Sequence, residues 1–173
     1  DTMALWRDAV KAEPGLIYRA VDATTGTIDI GDPDVSLHVL GPRLEARASY
    51  VKPVFPWLGS TGRTINGHSV ILRLDCKLVR ILLPGDINGR GARRLMADPN
   101  FPPLADAHIF KAPHHGSHDY DLDFLKAVHP QVSVISSGES PDHGHPRANF
   151  LGTIGNVSRS EEPLLFSTEL VAL

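Results

Sequence analysis

Nine histidines occur in the 173 residues, and their placement matters more than their number. His114, His115 and His118 lie within one five-residue stretch, and His143 and His145 within three. Each cluster follows a segment whose pattern predicts a strand or its loop, and Asp86 closes the run Leu82-Leu-Pro-Gly-Asp86. A strand ending in Gly-Asp, followed by strands leading into Pro-His-His-Gly-Ser and into Gly-His-Pro, delivers one carboxylate and several imidazoles to one edge of a sheet. That is the edge at which α/β proteins bind ligands. Imidazole and carboxylate suit Zn²⁺, Mn²⁺ or Fe²⁺, and a carboxylate can bridge two cations about 3.5–4 Å apart, which makes Asp86 the bridging candidate. Taken singly, each element has a bland reading. Gly-Asp after a strand is a common turn, adjacent histidines in a Gly-Ser loop are often plain surface residues, and Gly144-His145-Pro146 alone is weak. Their joint occurrence, in order and at strand ends, favours a metal or catalytic site.

The elements that must position these residues can be read from periodicity. Leu5, Ala9 and Ala12 stand at helical spacing until Pro14-Gly15 ends the pattern, which predicts an N-terminal helix. Ile17–Val21, Thr27–Ile30 and Val35–Leu40 are short β-branched runs separated by turn residues, the grammar of a strand meander. Residues 43–64, rich in Pro, Gly and basic residues around Trp57, predict a loop whose cations either line a substrate entrance or are simply solvated. Ser69–Leu74 and Leu78–Leu83 predict two strands turned around Asp75-Cys-Lys77. Thereafter Gly91–Ala97 (helix), Ala107–Lys111 (strand), Leu122–Val128 (helix), Val132–Ser136 (strand), Ala148–Ile154 (helix) and Leu164–Val171 (strand) predict an α/β layer.

Composition bounds the answer without deciding it. The length suits one domain with a sizeable core. The formal net charge of −3 gives no basic excess, so a nucleic-acid substrate would need a local patch or a metal. Cys76, the single cysteine, lies in an apolar run and is expected as a buried small hydrophobe. No stretch approaches the roughly 18 apolar residues needed to cross a bilayer, so no membrane insertion is expected.

Four segments together resemble a known family. Asn66-Gly-His-Ser-Val-Ile-Leu-Arg-Leu74, Leu82-Leu-Pro-Gly-Asp-Ile87, Ala105-Asp-Ala-His-Ile-Phe-Lys-Ala-Pro-His-His-Gly-Ser117, and Val134-Ile-Ser-Ser-Gly-Glu139 through Gly144-His-Pro146 are similar in order and spacing to the metallo-β-lactamase-fold domain of ComEC-type DNA-uptake proteins and related soluble hydrolases. The resemblance implies an α/β fold, the C-terminal half of a four-layer αββα sandwich with helices outside a mixed sheet. It implies a site for two divalent metal ions, Zn or Mn. It makes Asp86 a bridging metal ligand and one of His114 and His115 a ligand, with a lean to His115. The other then touches substrate or sits behind the ligands. His145 becomes a ligand or a group that contacts substrate or leaving group, taken here with His114 as catalytic. Asn66 and Ser117 would orient these groups through hydrogen bonds. His68, His118 and His143 match no position with an assignable role.

One departure qualifies this resemblance. The fold's principal metal motif, His-x-His-x-Asp-His, appears nowhere in the chain, which leaves four expected ligands missing. Residues 1–173 are therefore expected to be the C-terminal part of one domain whose partner is the N-terminal half. Of a fragment, a separate chain and a degenerate relative, the intact motifs favour the fragment. The implied activity of the complete protein is metal-dependent hydrolysis, with a phosphodiester such as DNA as first substrate. A ComEC-like parent would place the domain outside the cytoplasmic membrane, and a free-standing relative would be cytoplasmic. The rival expectations are a non-catalytic interaction module and a small protein binding one metal through its local histidines.

Overall fold

The computed structural model describes residues 2–16, 19–138 and 144–168. Its first half is a meander. An Asx turn, in which Asp22 Oδ1 accepts from the amide and hydroxyl of Thr24, leads into β1 (Gly26–Ile28). The sheet continues through β2 (Val35–Gly41), β3 (Ile71–Cys76) and β4 (Val79–Leu83), each antiparallel to its predecessor. From β4 onward the connections are crossovers, and β5 (Ile109–Lys111), β6 (Val132–Ile135) and β7 (Leu164–Ser167) add in parallel. The result is one seven-stranded mixed sheet in sequential order β1 to β7. The α/β class expected from the sequence is what the chain adopts.

The helices are α1 (Thr2–Ala12), α2 (Thr61–Gly67), α3 (Gly89–Met96), α4 (Phe101–Ala105), α5 (Leu122–Val128) and α6 (Ala148–Asn156). Helix α3 starts because Asn88 caps it, its side chain accepting from Gly91 N. Gly91 also allows α2 and α3 to touch backbone to backbone, since a Cβ there would lie 2.3 Å from Gly67 O. Phe101, Phe110, Phe124 and Phe150 fill the centre of a core that also takes Ile71, Leu82, Ile135 and Ile154. Burying each such side chain stabilises the fold by about 1.5–3 kcal/mol.

Side chains alternate across a sheet, and the register places Leu82, Phe110 and Ile135 on the helix-covered face. The opposite face carries Leu72, Leu74, Ile81, Leu83, Ile109, Val134, Leu164 and Phe166. None of these belongs to the buried core among the described residues. Phe166 is 57% exposed, Leu164 49% and Val134 36%. The sheet thus has one helix-covered face and an opposite apolar face that is open toward β7 and closes toward β2, where Val39, paired with Leu72, is 2% exposed.

Several expectations need correction. Residues 17 and 18 lie outside the described residues, and Arg19–Val21 forms no strand. Residues 43–60 are loop, but α2 begins at Thr61, before the end of the predicted loop, because Ser60 caps it through Arg63 N. Helix α4 was hidden by Pro102-Pro103, which a helix tolerates in its first turn, where amides need no partner. The β3–β4 turn falls at Lys77-Leu78, so Asp75 and Cys76 belong to the strand. Cys76 is only partly buried, because it ends β3 on the open face. The Leu5–Ala9–Ala12 stripe of α1 forms its helix, yet Leu5 is exposed. β7 stops at Ser167, and residues 169–171 lie outside the described residues. No helix among the described residues is long and apolar enough to cross a membrane.

Candidate metal centre

The three parallel strands β4, β5 and β6 end at the same edge, and that edge gathers the chemistry the sequence pointed to. Pro84-Gly85 turns the chain out of β4 and presents Asp86, whose amide donates to Ser69 Oγ at 3.1 Å. After β5 a single tight turn, Pro113–Gly116, carries both histidines, with His114 N donating to Gly85 O at 3.2 Å and so tying the two strand ends together. After β6 comes Ser136.

Asp86 and His115 meet across this edge, with His115 Nε2 3.4 Å from Asp86 Oδ1. Two ligands on one tetrahedral zinc, with bonds of about 2.0–2.2 Å, stand about 3.4 Å apart. The other ring nitrogen, Nδ1, lies 2.6 Å from Ser136 O, which can only accept, so Nδ1 carries the proton and donates. In the neutral ring Nε2 then bears the free lone pair on the side of Asp86. Metal-bound imidazoles are commonly fixed in this way, one nitrogen donating to a carbonyl and the other ligating. Both side chains are nearly half exposed, at 45% and 41%, so an ion could reach them. Among the described residues no group of three or more His, Cys, Asp and Glu stands close enough to hold a metal. The pair fits two positions of a coordination shell and leaves the rest to be supplied.

His114 is turned differently. Its Nε2 lies 3.5 Å from Asn66 Nδ2, and its ring meets that of His145 edge to face with centroids 5.7 Å apart. The chain thereby brings together Asp86 with His115 and His114 with His145, from the strand ends and loop expected to carry them. Both His114 (φ 47°) and His115 (φ 55°) sit in the left-handed region, which costs about 1–3 kcal/mol each for a non-glycine residue and is concentrated at functional sites. Arg147 N donates to Gly116 O at 2.9 Å, fastening the His145 segment to the histidine turn.

Asn66 contacts His114 as expected, but Ser117 departs from its expected part: its Oγ accepts from Asp119 N and shapes the following loop. His68 bonds Pro56 O at 2.8 Å and packs on Phe55, which suits a structural residue. His118 is exposed beside Arg63, Arg90 and Arg93. His143 lies outside the described residues.

Three contributors were missed. Ser136 acts through its backbone carbonyl, which no side-chain pattern announces. Lys111 ends β5 half-buried on the open face, where loss of hydration pushes its ammonium below the usual lysine range and the Asp86 carboxylate works the other way. Arg147 packs its guanidinium beside Gly144. The signal for Lys111 was available, as a lone cation inside the apolar run Ile109-Phe-Lys-Ala.

Gly116 is the joint of this arrangement. It takes φ +78°, and a Cβ there would lie 2.7 Å from Pro146 Cβ, 3.2 Å from Pro146 Cα and 3.3 Å from Phe150 Cδ1. Gly116→Ala is therefore expected to lower stability by about 2–3 kcal/mol, combining left-handed strain with overpacking. Chemical denaturation of the variant measures this, and an unchanged midpoint would show that the turn does not need glycine.

No protein-family model matches the chain, and no curated protein matches it.

Proposed function

We propose that this chain is the C-terminal half of a metallo-β-lactamase-like, metal-dependent hydrolase acting on phosphodiesters such as DNA. The observation that carries the proposal is the Asp86–His115 pair, brought from two strand ends to 3.4 Å with the second imidazole nitrogen donating to Ser136 O. The four-segment resemblance adds the family, and the open apolar face adds the incomplete layer. A sheet face of this kind is covered in stable domains by another layer of structure, and an N-terminal half bringing its own sheet and the missing ligands would cover it.

Asp86 and His115 would hold the ion or ions. Bound there, a divalent metal supplies Lewis acidity, lowering the pKa of water toward neutrality and offsetting negative charge on the substrate. The protein's own groups do the rest. Ser136 O and Ser69 Oγ hold His115 and the backbone at Asp86 in place. His145, beside His114, stabilises developing charge or protonates the leaving group. Lys111 and Arg147 add positive charge at the same edge, which favours an anionic substrate over a neutral one.

A second reading, a non-catalytic interaction module, also has an observation in its favour. The apolar face would suit a binding partner, and no third ligand stands beside Asp86 and His115 among the described residues. Chelation separates the two. The full-length protein is expected to hold one to two equivalents of Zn or Mn, to hydrolyse a phosphodiester, to lose that activity with its metal under a chelator, and to regain it when Zn or Mn is restored. No bound metal together with no hydrolysis would decide for the module, and hydrolysis indifferent to chelation would overturn the metal-dependent reading.

A further inference from the structure

Most arginines on this chain face a carboxylate. Arg43 meets Asp98, Arg47 and Arg94 share Glu45, Arg73 meets Asp75, and Arg80 and Arg159 share Asp106. Arg63 and Arg90 have no carboxylate partner among the described residues, and both line one open depression of about 260 Å³ with Arg93 and His118. The acidic residue of the same lining, Asp119, turns its Oδ1 to Gly89 N and pairs with none of these guanidinium groups among the described residues. Arg93 stands 3.5 Å from Asp121, whose other oxygen is held by Phe124 N. In a chain of net charge −3 this is a local positive potential with little to offset it.

The cations are also held in place from beneath. Asn88 is 2% exposed and joins α2 to α3 from the interior: its Nδ2 donates to Arg63 O at 2.7 Å, while its Oδ1 accepts from Gly91 N. Gly89 N donates to Asp119 O at 2.9 Å, which fastens the start of α3 to the segment carrying His118. Arg90 Nη1 donates to Leu58 O at 3.0 Å, so its guanidinium plane is fixed while Nη2 has no partner among the described residues. Three segments secured to one another thus present their cations to one depression, and little ordering remains for a ligand to impose. None of Asp86, His114, His115 and His145 lines it.

We infer that Arg63, Arg90, Arg93 and His118 form a second site, separate from the metal centre, for a diphosphate group, either free or carried by a nucleotide. Guanidinium forks match phosphate oxygens two at a time. A carboxylate engages one fork and leaves the others uncompensated. A diphosphate carries oxygens on two phosphorus centres, enough to meet forks arriving from α2 and α3 together with the imidazole. Bound there, it joins α2, which carries Asn66, to the segment that leaves the histidine turn, and so braces two supports of the metal centre without touching it. The inference uses none of the proposed metal ligands and stands apart from the hydrolase reading.

The test is calorimetric titration of the full-length protein with inorganic pyrophosphate, in chelator so that no metal at Asp86 holds the anion. One saturable site is expected, with a melting temperature raised by several degrees at saturation. Arg63→Ala and Arg93→Ala are each expected to weaken binding about tenfold or more, the order for one charge-assisted contact. Arg63→Lys, which keeps the charge and loses the fork, is expected to fall between parent and alanine variant. Both arginines are exposed, so the ligand-free variants should melt with the parent. Asp86→Ala is expected to bind pyrophosphate like the parent, and orthophosphate to bind the parent more weakly. Adenosine diphosphate distinguishes the sources: tighter binding than pyrophosphate assigns the site to a nucleotide, and equal or weaker binding to the free anion. No saturable binding, affinity unchanged by both alanine variants, binding lost in Asp86→Ala, or equal affinity for orthophosphate would each overturn the site.

Discussion

Asp86→Ala, made in the full-length protein, is expected to release bound Zn or Mn and to lower phosphodiester hydrolysis by about a thousandfold or more, equivalent to about 4 kcal/mol of transition-state stabilisation. His115→Ala should release less metal and retain more activity, because one terminal ligand is lost where Asp86 is expected to bridge two ions. The structure makes these variants informative. Both side chains are nearly half exposed, at 45% and 41%, so neither truncation opens a cavity in the core. Asp86 N still bonds Ser69 Oγ in the alanine variant, so the turn after β4 keeps its anchor. A melting temperature close to that of the parent should accompany the loss of metal. Elemental analysis and hydrolysis assayed on the same samples check this. If both variants keep their metal and their rate, the pair is a surface ion pair and the hydrolase reading falls.

The edge that gathers these groups was legible because polar residues interrupt otherwise apolar strands at their C-terminal ends. Pro84-Gly85-Asp86 and Pro113-His-His-Gly116 could only be turns, and parallel strands put such turns on one side. The choice between His114 and His115 was not legible. It depends on two consecutive left-handed residues, which aim neighbouring imidazoles at different partners, and on a carbonyl of Ser136 that has no side-chain signature. Helices α2 and α4 escaped notice for a related reason. Thr61-Gly-Arg-Thr has no apolar period, and Phe101-Pro-Pro looks like a breaker, yet each is stabilised by its surroundings: Ser60 caps the first, and buried Phe101 anchors the second.

Val134→Asp and Phe166→Asp are expected to destabilise the full-length protein by about 3 kcal/mol or more each, although in the isolated chain both positions are open. The two residues pair across β6 and β7 on the uncovered face and are 36% and 57% exposed. Substitutions at exposed sites without special structure change stability within about 0.5 kcal/mol. A carboxylate forced between two packed sheets loses the apolar burial and has no partner for its charge, which is the mechanism behind the large effects. The sequence has a pattern that such a second contact would leave. Val79-Arg-Ile-Leu-Leu83 does not alternate cleanly between apolar and polar, and sheets covered on both faces have strands of that kind. Arg80, on the helix side, is held by the carboxylate and carbonyl of Asp106, so the polar residue in the run belongs to the covered face and Ile81 and Leu83 to the open one. The same substitutions in the 173-residue chain alone should be close to neutral in stability and should reduce its self-association, since they place charge on the apolar face. Denaturation of both lengths, with sedimentation of the shorter, measures the difference. A large cost in the long protein with none in the short one means that a second layer covers this sheet. Equal and small costs in both mean that the face is solvent-exposed in the complete protein, and the proposed half-sandwich is then wrong.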